Sequence, residues 1–92
     1  MSKMKKIDAE LPKELNGSID ALILAINSGK YPADCEVSQV LGDINASESY
    51  GLIDTGFARK LREIYVKDIV RGKYGQVLWF YKLWIRSQTI RW

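Results

Sequence analysis

The sequence predicts a small all-α domain of three to four helices. Three observations predict it. Apolar residues recur at i, i+3, i+4 and i+7 from Ile19 to Ile26, and again in a stripe from Phe57 to Ile69, the spacing of one helical face. Gly29 and Gly72 stand where those stripes stop, and glycine commonly follows the last turn of a helix. The chain has 92 residues, 47% apolar and 27% charged, which is an ordinary globular composition at the length of one domain.

Met1 to Glu10 reads as a mobile, charged leader, and 11–92 as a single helical domain. Pro12 suits a helix entry. Ile19, Leu22, Ile23 and Ile26 then form the first stripe, with Asn16 or Ser18 able to cap its start and Gly29 its end. Tyr31 and Pro32 break the chain. A second, shorter helix is expected from about Ala33 to Ile44, with Val37, Val40, Leu41 and Ile44 inward, and Asn45 to Ile53 reads as a polar loop. Asp54 or Thr55 caps a third helix whose inward stripe is Phe57, Leu61, Ile64, Tyr65 and Ile69. Arg59 with Glu63, and Glu63 with Lys67, sit four residues apart on its surface. Arg71 suits the C-terminus of that helix and Gly72 its stop.

The stretch 76–92 carries two patterns. With period 2, Val77, Trp79, Tyr81, Leu83 and Ile85 share a face; as a helix, Lys82, Arg86 and Thr89 share a polar stripe. Aromatic content favours a strand. No other segment offers a strand to pair with it, so a helix is expected; the alternative is an α+β chain ending in a β-hairpin.

Charge divides the chain. From Ile7 to Asp54 nine acids face two lysines, a net of −7, whereas from Thr55 to Trp92 nine cations face two acids, a net of +7. The second half also holds eight of the ten aromatics, including Trp79, Trp84 and Trp92. A basic, aromatic surface grips an acidic protein, nucleic acid or an anionic membrane.

The absences narrow the chemistry. With no histidine, the usual base near neutral pH is missing, and so is every Ser-His or Cys-His nucleophile. Cys35 is the one cysteine, so neither an internal disulfide nor a structural zinc site within one chain is expected. No phosphate-cradling glycine motif occurs. The expectation is a non-enzyme without cofactor or metal. The polar residues after Lys6 do not form a secretory signal, and no apolar run is long enough to span a membrane, so a cytoplasmic protein is expected.

Two groups of residues are candidates for partner binding. The first is the basic face of the third helix: Arg59, Lys60, Arg62, Lys67 and Arg71, with Lys73 just beyond. Against it stands a plain solvated face whose charges pair within the domain. The second is Trp79, Trp84 and Trp92 with Lys82, Arg86 and Arg91 among them, the residue mixture of interface hot spots. Against it stands simple core filling, although one helical stripe cannot bury so many aromatics, and Trp84 or Trp92 is expected outside.

The loop Asp43, Asn45, Ser47, Ser49, Gly51, Asp54 resembles a calcium-binding EF-hand loop in its alternating oxygen residues, and Gly42-Asp43-Ile44-Asn45 resembles the start of a dockerin loop. Glu48 stands at the sixth place, where that loop turns on glycine, Tyr50 replaces a small aliphatic, and Asp54 is a shorter chelator than the family's Glu. No calcium site is expected. A winged helix-turn-helix would make Arg59 to Arg71 its recognition helix, but a loop from Asn45 to Ile53 exceeds the short turn of that motif.

The function expected from sequence is a small regulatory or inhibitory protein, of the type phages and plasmids encode, that binds an acidic protein surface through its basic, aromatic half. A nucleic-acid-binding module is the alternative and a peripheral membrane binder the third reading. Self-association is compatible with all three.

Overall fold

The computed structural model describes residues 3–30 and 32–75. They form an all-α domain: α1 (Lys13–Asn27), α2 (Asp34–Ser49) and α3 (Thr55–Arg62). The last continues through a π-helical stretch (Glu63–Lys67) into a short α4 (Asp68–Val70). Backbone angles stay helical from Arg62 through Asp68, so α3 to α4 is one continuous third helix. Within it the Asp68 amide donates to the Glu63 carbonyl, a wide five-residue turn. The described residues contain no strand. The helix or β-hairpin expected over 76–92 lies outside them.

The helix starts differ from expectation in one place. Asp54 caps α3 as predicted, its Oδ1 accepting from the Phe57 amide at 2.7 Å. On α1, Asn16 and Ser18 lie inside the helix and cap nothing. Helical spacing reaches back to buried Leu15, and Pro12 supplies the first turn, its carbonyl accepting from the Asn16 amide at 2.8 Å. The Ser18 hydroxyl instead donates back to the Leu15 carbonyl.

All three helices stop in the same way. After α1, Gly29 N–H bonds the Ile26 carbonyl and Lys30 N–H the Ala25 carbonyl. After α2, Gly51 bonds Glu48 and Leu52 bonds Ser47. After α4, Gly72 bonds Ile69 and Lys73 bonds Asp68. Each is a Schellman motif, in which a left-handed residue folds two amides back onto otherwise unpaired carbonyls. The φ values of +79°, +74° and +88° are those that glycine adopts without strain.

Gly51 corrects the second helix. It was expected to stop at Ile44, but α2 runs on to Ser49. The residues taken for a loop are polar because they are mostly exposed, while Ser47 continues the buried stripe of Val37, Val40, Leu41 and Ile44. The connection to α3 shrinks to 50–54.

Helix α2 is the centre of the fold, packing on α1 at one side and on the third helix at the other. Leu15, Ile19, Leu22, Val37, Val40, Ile44, Leu61, Tyr65, Val66 and Ile69 are fully buried between them. Of the predicted inward residues, Ile23, Phe57 and Ile64 are only half-buried, packed against the margin of this core.

The described part of the leader touches the helices at Met4 and around Ile7. Met4 is 2% exposed. Its amide donates to Asn27 Oδ1 at 2.8 Å, and Asn27 Nδ2 donates to its carbonyl at 3.0 Å. Three residues on, the Ile7 amide donates to the Tyr65 hydroxyl at 2.6 Å, and that hydroxyl donates to the Lys5 carbonyl at 3.0 Å. The leader therefore ties the end of α1 to the middle of the third helix. A single buried methionine and two side chains from distant elements achieve this, and no local pattern announces them.

Candidate partner-binding surface

Six of the predicted site residues lie in the described part of the third helix and its end, and folding separates them into two sets. Arg62 reaches back to α2. Its Nη2 pairs with Glu48 Oε1, and its Nε and Nη2 donate to Asn45 Oδ1 at 3.1 and 2.9 Å. Arg71 pairs with Glu63 at 2.6 Å and Asp68 at 3.4 Å. Lys67 pairs with Glu63 at 3.7 Å, and Lys73 with Asp68 at 3.6 Å. These four cations are engaged inside the domain. Arg59 and Lys60, both exposed, form no ion pair or hydrogen bond with any described residue.

The plain solvated-face reading thus describes Arg62, Lys67, Arg71 and Lys73. The acids that engage the last three are not those of the acidic half. They are Glu63 and Asp68, the two acids within the basic half itself. The expected Arg59–Glu63 pair is absent because Glu63 turns toward Lys67 and Arg71, one and two turns further on.

Ionisation follows these contacts. The hydrogen bond from Arg62 holds the Glu48 carboxyl below the usual carboxylate range, and the nearby charge of Arg59 adds to the effect. Arg71 does the same for Glu63, which in turn holds Arg71 more firmly protonated. On the far side of α2, Lys30 lowers Glu36 and is itself raised by it. Burial raises the Tyr65 phenol. Every one of these groups is accounted for by an ion pair or by the leader contact.

Helix α2 also disposes of the calcium-loop resemblance. Asp43, Asn45, Ser47 and Ser49 are helical, so their side chains fan around the axis and do not ring a common centre. Asp43 instead accepts from Gln39 one turn away, and the Asp54 carboxylate is used as a cap. A shallow groove of about 560 Å³ runs along the outer face of α2, lined by Asp34, Cys35, Ser38, Gln39 and Gly42. None of the six described site residues lines it.

The structure adds two residues that the sequence reading had placed in a polar loop. Tyr50 is 80% exposed and Leu52 is 62% exposed. Both sit in the corner between α2 and α3, on either side of Gly51. Arg59 lies at the same corner, close enough to α2 to bear on Glu48. A signal was present in the sequence: Tyr50-Gly51-Leu52 puts two large apolar side chains beside a turn glycine within an otherwise polar stretch. The remaining predicted residues, Trp79, Lys82, Trp84, Arg86, Arg91 and Trp92, lie outside the described residues.

No described helix is long and apolar enough to cross a membrane. No protein family model, curated protein or solved structure matches this chain.

Proposed function

We propose that the chain is a small non-enzymatic regulatory or inhibitory protein of the cytoplasm that docks its basic half onto an acidic surface of another protein. One observation carries this reading. Arg59 and Lys60 stand exposed in the first half of the third helix and pair with no described residue, although four other cations on or just beyond that helix have found partners. An exposed cation that forms no ion pair with a described residue is available to an external one, and it meets an acidic surface at little desolvation cost when it sits at the rim of a contact. The charge and aromatic residues continue in sequence through Lys82, Trp84 and Arg86.

A nucleic-acid reading has one specific support. The connection over 50–54 is close to the turn length of a helix-turn-helix, which the longer loop expected from sequence was not. The exposed Thr55, Gly56, Arg59 and Lys60 would then face the duplex.

Capture from a cell extract with the full chain as bait, with and without nuclease, decides between the two. The protein-binding reading expects a discrete captured protein that survives nuclease, elutes with salt, and is lost when Arg59→Gln and Lys60→Gln are combined. Capture that vanishes on nuclease treatment, with retention of random duplex DNA, would replace this reading with the nucleic-acid one.

A further inference from the structure

We infer that the corner between α2 and α3 is the anchor of that interface, and that it takes an acidic segment of a partner protein bearing an exposed aliphatic or aromatic side chain. This rests on the proposed protein-binding function and names the chemistry of its partner.

Tyr50 and Leu52 are exposed at this corner. Two large apolar side chains held in water at a helix corner do nothing for the fold, since the buried member of the turn is Ile53. Their backbone is nonetheless rigidly placed. The Leu52 amide donates to the Ser47 carbonyl at 2.9 Å, the Ile53 amide reaches the same carbonyl at 3.4 Å, and Arg62 staples the end of α2 to the third helix through Asn45 and Glu48. A rigid corner loses little freedom on binding, which lets a small apolar contact count. Tyrosine and arginine are also among the residue types most enriched where binding energy concentrates.

Charge selects the occupant. The two acids nearest the corner are both engaged, Glu48 by Arg62 and Asp54 by the Phe57 amide. What the corner offers outward is therefore Tyr50 and Leu52, with Arg59 near enough to bear on Glu48 and Lys60 exposed beside it in sequence, neither cation paired with a described residue. Phosphate backbones would use the cations but have no use for Leu52. A bilayer would need a broader apolar face than two side chains provide. An acidic protein segment with one apolar side chain uses both features.

The test is selection of a random peptide display library on the full-length chain, followed by affinities of the enriched peptides for two double variants. The inference expects peptides rich in Asp and Glu with a fixed apolar position. Combining Tyr50→Ser with Leu52→Ser should weaken them by about tenfold or more, while the melting temperature of the variant stays unchanged. Acidic peptides weakened by Arg59→Gln with Lys60→Gln but indifferent to the Tyr50 and Leu52 changes would overturn the anchor and leave the protein-binding reading standing. Enrichment without acidic residues, or no enrichment alongside binding of random duplex DNA, would overturn both.

Discussion

Tyr65 is fully buried, yet its hydroxyl is spoken for at both ends, accepting from Ile7 and donating to Lys5. Phenylalanine at this position would keep the ring and strand two backbone groups. Tyr65→Phe should therefore cost about 1–3 kcal/mol, the penalty of unsatisfied buried polar groups. Amide hydrogen exchange checks the mechanism: Ile7 should lose its protection while amides within α2 keep theirs. The same hydroxyl gives an alkaline signature. Burial raises its folded pKa above the ordinary tyrosine value of about 10, so its contribution is complete below that value. It is then lost as pH rises through the higher folded value, because a phenolate cannot donate to Lys5. Alkaline unfolding of wild type should be steeper than that of Tyr65→Phe, and identical curves would remove the clamp from the account.

The ends of helices decide much at the next scale. Gly51 closes α2 with a φ of +74° that a side chain resists. Gly51→Ala should destabilise by about 1 kcal/mol, read from chemical denaturation, through strain at that one residue. The end of α2 is also where the Arg62–Glu48 pair joins the two charge halves. Arg62 lowers the folded pKa of Glu48, so the stabilisation is present at neutral pH, above the ordinary carboxyl value of about 4.3. It disappears as pH falls through the lower folded value. Glu48→Gln should flatten the acid limb of the stability curve between roughly pH 5 and pH 3, and an unchanged limb would show the pair to be idle.

This same region marks the boundary of what the sequence reveals. The core faces of α1, α2 and the third helix were legible because Ile19, Val37, Leu61 and their partners repeat with helical period. Asp54, Gly29 and Gly72 were legible because caps use few residue types. The last turn of α2 was not, since Asn45 to Ser49 carry no apolar residue larger than Ala46 to extend the stripe. The π-helical stretch was not either, since one wide turn leaves no composition signal. The docking of the leader depends on Asn27 and Tyr65, contacts across 23 and 58 residues of sequence that no periodicity encodes.

Over the whole molecule, folding turns a divided charge pattern into a set of local pairs. Lys6 meets Asp20, Lys30 meets Glu36, Arg62 meets Glu48, and Glu63 and Asp68 engage Lys67, Arg71 and Lys73. The sequence located the basic helix but could not say which of its cations were already in use, because pairing depends on where Glu63 turns. Of the described cations on the third helix and its end, Arg59 and Lys60 alone pair with no described residue, and the proposal gives them to the partner. Lys67→Gln with Arg71→Gln should accordingly shift melting little, as exposed pairs contribute little, and should leave binding intact.

Association rates of one acidic peptide, selected on the wild-type chain, with two double variants at about 50 mM and about 300 mM salt separate Arg59 and Lys60 from the paired cations. The account predicts that Arg59→Gln with Lys60→Gln slows association by about tenfold and removes most of its salt dependence. Lys67→Gln with Arg71→Gln should keep both within about twofold of wild type. Equal slowing by the two pairs, or none by the first, would contradict it.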